Sequence, residues 1–233
     1  MKALVLFSGG LDSTVCLALA VKKYGAAEVA ALSISYGQKH RKEIEASRKV
    51  ADYYGVEYRT LDLGEIFKDS SCTLLEGAAE EIPHEEYSEQ LKKTGGAPVS
   101  TYVPFRNGLF LSSAASIALS LGCNEIYYGA HADDAAGNAY PDTSIAFNNA
   151  IAEAILLGSG NELQIIAPFI DKTKADVVAV GTSIGVPFEL TWSCYEGNEH
   201  ACGVCGTCRD RIRAFAENGL KDPITYEGEE NND

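Results

Sequence analysis

Residues 3–15 read ALVLFSGGLDSTV, an apolar run that leads through two glycines into a second apolar run at residues 15–20. An apolar run of strand length followed by a Gly-Gly turn predicts a buried strand that turns directly into a helix. Gly9 and Gly10 allow the backbone to approach an anion closely, and the N–H groups of a helix N-terminus attract phosphate. No Gly-Lys-Ser/Thr follows, which excludes a phosphate loop of the Walker A type.

Apolar runs of strand length alternate with amphipathic segments of helix length along most of the chain, a pattern typical of βαβ units and a parallel sheet. We predict strands at about 3–7, 28–34, 57–62, 125–129 and 163–167. We predict helices at about 13–24, 41–54, 107–121, 144–157, 174–184 and 206–217. The expected fold is therefore α/β, doubly wound, with a mainly parallel five-stranded sheet flanked by helices and a C-terminal four-cysteine zinc loop.

Three segments depart from this alternation. Residues 64–102 hold acidic pairs and prolines with little periodicity, and an insert of this length is often a lid or a partner surface. Residues 191–220 hold a cysteine-rich loop and the last predicted helix, and residues 221–233 form an acidic tail that we expect to be disordered. We therefore divide the chain into a main domain at 1–190, which begins with the glycine motif and includes the insert, and these two C-terminal parts.

The charge and composition of the 233-residue chain exclude several classes of function. Its formal net charge of −14 opposes nucleic-acid binding, which relies on Lys and Arg to neutralise phosphates. No apolar run approaches the ~20 residues needed to span a bilayer. Because the glycine motif begins so close to Met1, a cleavable signal would remove it. We expect a cytoplasmic protein without nucleic-acid or membrane partners.

Four of the seven cysteines follow a C-x7-C-x2-C-x2-C spacing: Cys194, Cys202, Cys205 and Cys208. Four thiolates at this spacing are typical of a tetrahedral zinc site, whose closed ligand set has a folding role. An iron–sulfur cluster is the main alternative, because four cysteines also hold such clusters. A thioredoxin-like dithiol would leave two of the cysteines unpaired. We therefore predict one structural Zn²⁺ per chain.

The Ser-Gly-Gly-x-Asp-Ser motif at 8–13 resembles the pyrophosphate loop (PP-loop) of the N-type ATP pyrophosphatases, which cleave ATP between the α and β phosphates. Further motifs follow in order: SYGQKHRKE at 35–43, VPFRN at 103–107, GAHADD at 129–134, GNAYPD at 137–142 and the cysteine loop. From about residue 2 to 218, the set resembles the QueC family, the 7-cyano-7-deazaguanine synthases of queuosine biosynthesis. There are two departures. Thr143 stands where the family often has Cys, and the residues at 132–134 and 137–139 differ from those of many members.

The resemblance implies an ATP-dependent carbon–nitrogen ligase that converts 7-carboxy-7-deazaguanine and ammonia to 7-cyano-7-deazaguanine. The carboxylate is first adenylated, ammonia displaces AMP to form the amide, and a second adenylation activates the amide oxygen for dehydration to the nitrile. The resemblance also implies Mg²⁺ bound with ATP and a homodimer. We expect no glutaminase domain in a chain of this length, so the nitrogen is expected to arrive as free ammonia.

The expected ATP-binding residues are Ser8, Gly9, Gly10, Leu11, Asp12, Ser13, Thr14 and Val15, and the expected catalytic residues are Asp12, Lys174, Arg106 and Asp133. Asp12 is either a magnesium ligand or a helix cap, because its charge would repel phosphate. Lys174 matches the lysine that related pyrophosphatases place near the phosphates, with Lys172 as the alternative. Arg106 suits either a clamp on a carboxylate or phosphate, or a surface salt bridge.

The expected substrate-binding residues are Tyr140, Asp142 and Asp134. Asp133 and Asp134 follow a predicted strand at the carboxyl edge of the sheet, where open α/β sheets bind ligands. One of these two acids could hold magnesium or contact the amino group of a guanine-like base, or both are solvated loop acids. Tyr140 and Asp142 could contact the deazapurine, or they belong only to a rigid turn around Pro141.

Two alternative functions stay open. A PP-loop tRNA-modifying enzyme of the thiolase or lysidine type would adenylate a base in RNA, which the charge of −14 opposes. An ATP-binding sensor or zinc scaffold would bind nucleotide without forming AMP. His40 and His131 are candidate proton carriers or structural histidines, and Trp192 is expected to pack beside the cysteine loop.

Overall fold

The sheet consists of five parallel strands in a computed structural model that describes residues 1–39, 42–85, 87–135, 139–196 and 199–229. The strands are Ala3–Leu6 (β1), Val29–Ser35 (β2), Glu57–Asp62 (β3), Glu125–Tyr127 (β4) and Gln164–Ile166 (β5). Their order across the sheet is β3-β2-β1-β4-β5, and each neighbouring pair is parallel. Leu4 of β1 is in register with Ala30 of β2 and with Ile126 of β4. The predicted parallel five-stranded sheet is confirmed.

Eight α-helices flank these strands in the described part of the chain. They are Leu11–Tyr24 (α1), Lys42–Tyr54 (α2), Tyr87–Lys93 (α3), Arg106–Ser120 (α4), Ala132–Ala135 (α5), Ile145–Gly158 (α6), Lys174–Ser183 (α7) and Gly206–Glu217 (α8). Six of them lie within two residues of the predicted helices. The sequence did not predict α3 and α5, because helices of 7 and 4 residues are too short to show a helical period. None of the described helices has the length and apolar character needed to cross a bilayer.

Side chains of β1 alternate between two apolar cores, one on each face of the sheet. Ala3 and Val5 pack with α1, α7 and α8, whereas Leu4 packs with α4 and α6. Leu4 and Val5 are completely buried, and full burial of such a side chain contributes about 1.5–3 kcal/mol. The strand order reverses between β1 and β4, which makes the sheet doubly wound and confirms the predicted fold class.

The insert at 64–102 packs on the loop that follows β2. Phe67, Leu74 and Leu75 form a small apolar cluster with Tyr36, and Gln38 forms an isolated antiparallel bridge with Leu75. The insert is therefore anchored beside the carboxyl edge of the sheet. Its role as a lid or partner surface stays a prediction.

The segment after α8 is described as far as residue 229. Asp222 accepts two hydrogen bonds from the buried Arg211 of α8, at 2.7 and 3.0 Å, and a third from the Tyr226 hydroxyl at 2.6 Å. The first residues of this segment thus pack against α8, because a buried cation in α8 requires the Asp222 carboxylate. Disorder of the tail stays a prediction. The division of the chain at 190 stays a prediction.

Candidate active site and cysteine centre

An open cavity of about 200 Å³ lies at the carboxyl ends of β1 and β2, beside the switch point of the sheet. The loop after β1 contributes Ser8 and Gly10 to its wall, and the residue directly after β2 contributes Tyr36. Arg106 at the start of α4 and Asp134 in α5 complete the opposite side. Ligands of open α/β sheets bind in this crevice, so the fold places the predicted phosphate loop where a nucleotide would bind.

Hydroxyl groups close the loop that follows β1. The Ser13 and Thr14 hydroxyls donate to the Gly10 carbonyl oxygen at 3.2 and 2.8 Å, and the Ser8 N–H donates to Ser13 Oγ at 3.3 Å. Gly10 is the N-cap of α1 and receives no side-chain cap, so the interpretation of Asp12 as a helix cap is wrong. The first N–H groups of a helix have no partner within it, which leaves those of α1 suited to an anion at this end.

Two glycines are required by close backbone packing around the loop. Gly9 has a φ of +87°, and a Cβ atom there would lie 2.4 Å from the backbone nitrogen of Ser47 in α2. A Cβ atom on Gly129 would lie 3.1 Å from the backbone nitrogen of Ser13. The phosphate loop is thus held between α2 on one side and the segment after β4 on the other.

Asp12 and Lys174 form an ion pair beside the loop. Lys174 Nζ lies 3.2 Å from Asp12 Oδ2, and Lys174 is only 8% exposed. Burial raises the pKa of Asp12, but attraction to Lys174 and His131 outweighs this and holds the pKa below the ordinary value of 3.8. Burial lowers the pKa of Lys174, but Asp12 and Asp134 raise it by more, so the ammonium stays charged. Lys172 lies outside this cluster, exposed and paired with its neighbour.

The start of α7 sets the position of Lys174. Thr173 and Asp176 form a capping box there, in which the Thr173 N–H donates to Asp176 Oδ2 at 2.8 Å. Asp133 Oδ2 accepts the backbone N–H of Lys174 at 2.8 Å. The structure therefore brings Asp133 to the backbone of α7, outside the cavity wall, whereas Asp134 lines the cavity.

His131 is 2% exposed and faces three charged groups. Its Nε2 atom lies 3.3 Å from Lys174 Nζ, 3.4 Å from Asp134 Oδ2 and 3.7 Å from Asp12 Oδ1. Asp12 Oδ1 is buried and has no hydrogen-bond partner within the described structure. Such a carboxylate oxygen is suited to a donor or cation supplied by a ligand. The second candidate proton carrier, His40, lies outside the described residues.

Arg106 is held between two aromatic rings of the cavity wall. Its guanidinium carbon lies 5.2 Å from the Tyr36 ring centroid and 6.0 Å from that of Phe110, and Nη1 donates to the Tyr36 hydroxyl at 3.2 Å. Burial raises the pKa of Tyr36 to about 12, so its phenol stays neutral. This arrangement fixes the guanidinium in the cavity wall, and its role as a clamp on an anion stays a prediction. Tyr36 is absent from the predicted site, although its place directly after a strand was an available signal.

Tyr140 and Asp142 hydrogen-bond within the protein. The Tyr140 hydroxyl bonds to Thr101 Oγ1 at 2.7 Å, and Asp142 Oδ2 accepts the backbone N–H of Asn107 at 2.8 Å. Asn107 follows Arg106 in the first turn of α4, so Asp142 helps to position that turn. Neither Tyr140 nor Asp142 lines the cavity, and direct contact of either with a substrate stays a prediction.

The four predicted cysteines converge in one buried site. Their Sγ atoms all lie within 4.8 Å of one another, and those of Cys202 and Cys208 are 4.0 Å apart. Four sulfurs at ~2.3 Å from one zinc would be about 3.8 Å apart, so the spacing suits a tetrahedral ion. The backbone N–H groups of Cys202 and Glu196 each donate to Cys194 Sγ at 3.4 Å. Trp192 packs against this cluster, as predicted.

Comparison with known proteins gives one family over nearly the whole chain. The family described as "Queuosine biosynthesis protein QueC" matches residues 2–219. The 7-cyano-7-deazaguanine synthase of Archaeoglobus fulgidus is 43% identical, over 98% of this chain and 92% of that protein. Those of Caldicellulosiruptor saccharolyticus and Pseudoalteromonas atlantica are 41% and 38% identical, over 97% of this chain and 96% and 99% of theirs.

A solved structure, the U34-tRNA thiolase NcsA from Methanococcus maripaludis with its [4Fe-4S] cluster, is similar with a TM-score of 0.49 and 16% identity. The similarity covers 94% of this chain and 66% of that one. A likeness at this level does not bear on the metal or the substrate of this chain. The match over residues 2–219 and the near full-length relatives show that the chain belongs to the QueC family of queuosine biosynthesis proteins.

Proposed function

We propose that this protein is an ATP-dependent ligase that converts 7-carboxy-7-deazaguanine and ammonia to 7-cyano-7-deazaguanine. The observation that carries the proposal is the buried ammonium of Lys174, 3.2 Å from Asp12, beside the glycine loop at the head of α1. Asp12 lines the cavity, so the Lys174 ammonium paired with it lies directly behind the wall where α1 begins, and this arrangement supports phosphate binding there. The relatives named 7-cyano-7-deazaguanine synthase support the choice of substrate.

In the first half-reaction, a carboxylate oxygen of the substrate attacks the α phosphorus of ATP and pyrophosphate leaves. Lys174 and the N–H groups at the start of α1 stabilise the charge that builds on the leaving pyrophosphate. Ammonia then adds to the carbonyl carbon of the acyl adenylate. AMP leaves with the bonding electrons, and one proton leaves the nitrogen to give the amide.

In the second half-reaction, the amide oxygen attacks the α phosphorus of another ATP, pyrophosphate leaves, and the nitrogen loses a proton. The resulting adenylate loses AMP and the last N–H proton, which leaves the carbon–nitrogen triple bond. We assign ATP to residues 8–15 and anion binding to Arg106. Asp134 is assigned to the substrate because it lines the cavity, and Asp133 is assigned to the positioning of Lys174.

Two metal ions fit the residues present. Asp12 Oδ1, which lacks a partner, would hold the Mg²⁺ that accompanies ATP, because carboxylate oxygens suit this hard cation. When bound, the ion would neutralise charge on the phosphates. The four cysteines would hold a structural Zn²⁺. Elemental analysis should find about one zinc per chain, and iron with inorganic sulfide in its place would contradict this assignment.

The protein is also proposed to act in the cytoplasm as a homodimer on small molecules, without nucleic-acid partners. Exposed apolar side chains at the starts of α4 and α6 support a dimer, because Phe105 is 58% and Ile145 is 51% exposed. The rings of Phe105 and Phe147 pack edge to face, with centroids 5.9 Å apart, so the two helix starts form one patch. Light scattering during size-exclusion chromatography should give twice the monomer mass of 24.9 kDa. A mass of 24.9 kDa at micromolar concentration would contradict the dimer.

The function is tested by mass spectrometry of the products formed from 7-carboxy-7-deazaguanine, ammonium, ATP and Mg²⁺. A nitrile product with released AMP supports the proposal, and Asp12→Ala should abolish both products while the zinc content stays unchanged. The matched control is Asp171→Ala, which removes an exposed acid outside the cavity. AMP formation with tRNA instead would identify a tRNA-modifying enzyme. Nucleotide binding without AMP would identify a sensor.

A further inference from the structure

Residues Thr191–Cys194, here called the linking segment, connect the phosphate loop to the cysteine cluster. The backbone N–H of Trp192 donates to the carbonyl oxygen of Gly9 at 3.0 Å. The carbonyl oxygen of Trp192 also lies 3.5 Å from the place of a Cβ atom on Gly10. The backbone of one residue therefore contacts both glycines of the phosphate loop, and Cys194, the first thiol of the cluster, follows two residues later.

The linking segment is anchored on the side of the cysteine cluster as well. The indole Nε1–H of Trp192 donates to the Cys194 carbonyl oxygen at 3.0 Å. Arg211 of α8 donates to Thr191 Oγ1 at 2.7 Å, and the Thr207 hydroxyl donates to the Ser193 carbonyl oxygen at 2.5 Å. Residues 191–193 are thus each bonded, two of them to α8 and Trp192 to both Gly9 and Cys194, so a shift of the segment would disturb α8, the cluster or Gly9.

The Gly9 carbonyl matters because it belongs to the peptide group that also carries the Gly10 N–H, which donates to Ser8 Oγ of the same loop at 3.1 Å. Gly9 has a φ of +87°, and its conformation decides which way that peptide group faces. A bond that holds the peptide in place before the nucleotide arrives lowers the ordering cost of binding. Without a bound metal, the four cysteines lie in a loop that has no larger core, so the loop would hold the linking segment less rigidly than a metal-bound loop would.

We propose that metal binding at the four cysteines and ATP binding at the phosphate loop are thermodynamically coupled through the linking segment, with the Trp192 N–H as the positioning group. The inference rests on the proposed nucleotide site and goes beyond it, because it assigns the cysteine centre a part in nucleotide affinity as well as in folding. Such coupling is reciprocal: if zinc tightens ATP binding, ATP tightens zinc binding by the same factor.

The test measures the partition of Zn²⁺ between the intact zinc-loaded protein and a chromogenic chelator, with and without saturating ATP in excess Mg²⁺. No carboxylate substrate is added, so nothing turns over and the readout is metal affinity alone. A parallel titration without protein corrects for zinc bound by ATP. We expect ATP to raise the apparent zinc affinity at least about fivefold, the lower end of typical coupling between sites.

Two variants distinguish coupling through the linking segment from a general stabilisation of the folded protein by ATP. Trp192→Ala and Trp192→Pro both lose the indole, but only proline lacks the backbone N–H. Thr191 has a ψ of 153°, an extended conformation that suits a residue before proline. The ATP effect on zinc affinity should persist in Trp192→Ala and fall below twofold in Trp192→Pro. If the proline variant does not fold, Thr207→Val, which loosens Ser193, should reduce the effect by at least half.

The outcomes distinguish this inference from the proposed function. Equal zinc partition with and without ATP in the wild-type protein, when calorimetry shows that ATP binds, overturns the coupling and leaves the proposed function intact. Equal protection of zinc in folded Trp192→Pro and Trp192→Ala also overturns it. If ATP does not bind to the zinc-loaded wild-type protein, the proposed function and the coupling both fail.

Discussion

Lys172 and Lys174 are two residues apart, yet the fold gives them different surroundings. Lys172 is exposed and lies 3.6 Å from the carboxylate of Asp171. Lys174 opens α7, and its ammonium lies in a buried cluster with Asp12 and His131. A lysine is buried only when its charge is compensated, so the Asp12 carboxylate accounts for its position.

Replacement of Lys174 by Ala should reduce AMP formation about 10²–10³-fold, because one preorganised cation at the leaving group is lost. It should also lower the free energy of unfolding by about 2–3 kcal/mol. That is less than the ~3–5 kcal/mol of a fully buried pair, since about a fifth of the Asp12 side chain is exposed. Lys172→Ala is the matched control and should stay within twofold of wild type. Steady-state kinetics and urea unfolding measure both effects, and equal losses in the two variants would contradict the assignment.

Asp142 gives a pH dependence of stability with a defined sign. Burial raises the pKa of this carboxyl above its ordinary value of 3.8. At pH values between the ordinary pKa of the unfolded chain and the raised pKa of the folded protein, the folded state binds more protons than the unfolded state. The free energy of unfolding therefore falls as the pH rises through this window. Asp142→Asn keeps an acceptor for the Asn107 N–H without the charge. The variant should therefore gain stability relative to wild type as the pH rises from about 4 toward 7, as urea unfolding at both pH values would show. A constant difference would contradict the prediction.

At the scale of elements, α1 and α2 meet at the phosphate loop through backbone atoms. A Cβ atom on Gly9 would lie 2.4 Å from the nitrogen of Ser47 and 2.7 Å from the carbonyl oxygen of Glu43. Backbone atoms cannot yield as a flexible side chain can, so the first turn of α2 would have to move. Gly9 is thus required for the close packing of the loop on α2, whatever part it has in the binding of a phosphate.

Gly9→Ala should lower the unfolding free energy by more than the ~1–2 kcal/mol of a left-handed alanine, because overlap with α2 is added to the strain. It should also weaken ATP binding at least tenfold. Gly25→Ala is the control, since Gly25 has a similar φ of +81° but open space around its Cβ position. That control should show the strain alone and unchanged ATP affinity. Thermal unfolding and calorimetry distinguish the two, and equal effects would exclude a steric role for α2.

At the scale of the whole molecule, Arg211 joins parts of the chain that are far apart in sequence. Its guanidinium donates to Asp222 after α8, to Thr191 in the linking segment and to the Phe188 carbonyl oxygen. Arg211 is 0% and Asp222 is 7% exposed. This buried pair holds the C-terminal segment against the cysteine cluster, where Tyr226 also packs.

Arg211→Met should cost about 3–5 kcal/mol of unfolding free energy, because it leaves the Asp222 carboxylate buried without its cation. Arg213→Met, on the same helix, removes an exposed arginine paired with Asp210 and should cost less than ~1 kcal/mol. Urea unfolding of both zinc-loaded variants measures the difference. Similar values for the two variants would show that the C-terminal segment does not depend on Arg211.

The fold class, all five strands and six of the helices could be predicted from the sequence, because apolar periodicity repeats over enough residues to be counted. The four-cysteine set could be predicted too, since C-x2-C spacing is a local property. Neither α3 nor α5 could be predicted, since neither spans enough residues for a period to emerge. The sequence also predicted that motifs directly after the strands lie at one edge of the sheet, because parallel strands all end at the same edge.

Which side chains contact one another depends on how the elements pack, and the motifs do not predict it. The burial of Lys174 beside Asp12, the place of Asp133 on the backbone of α7 and the burial of Asp222 all depend on tertiary contacts that lie outside the short motifs. Such contacts result from the packing of helices on the sheet, which cannot be predicted from a short motif. The sequence therefore determined the local structure and the kinds of side chain available, and the fold determined which charges are buried together.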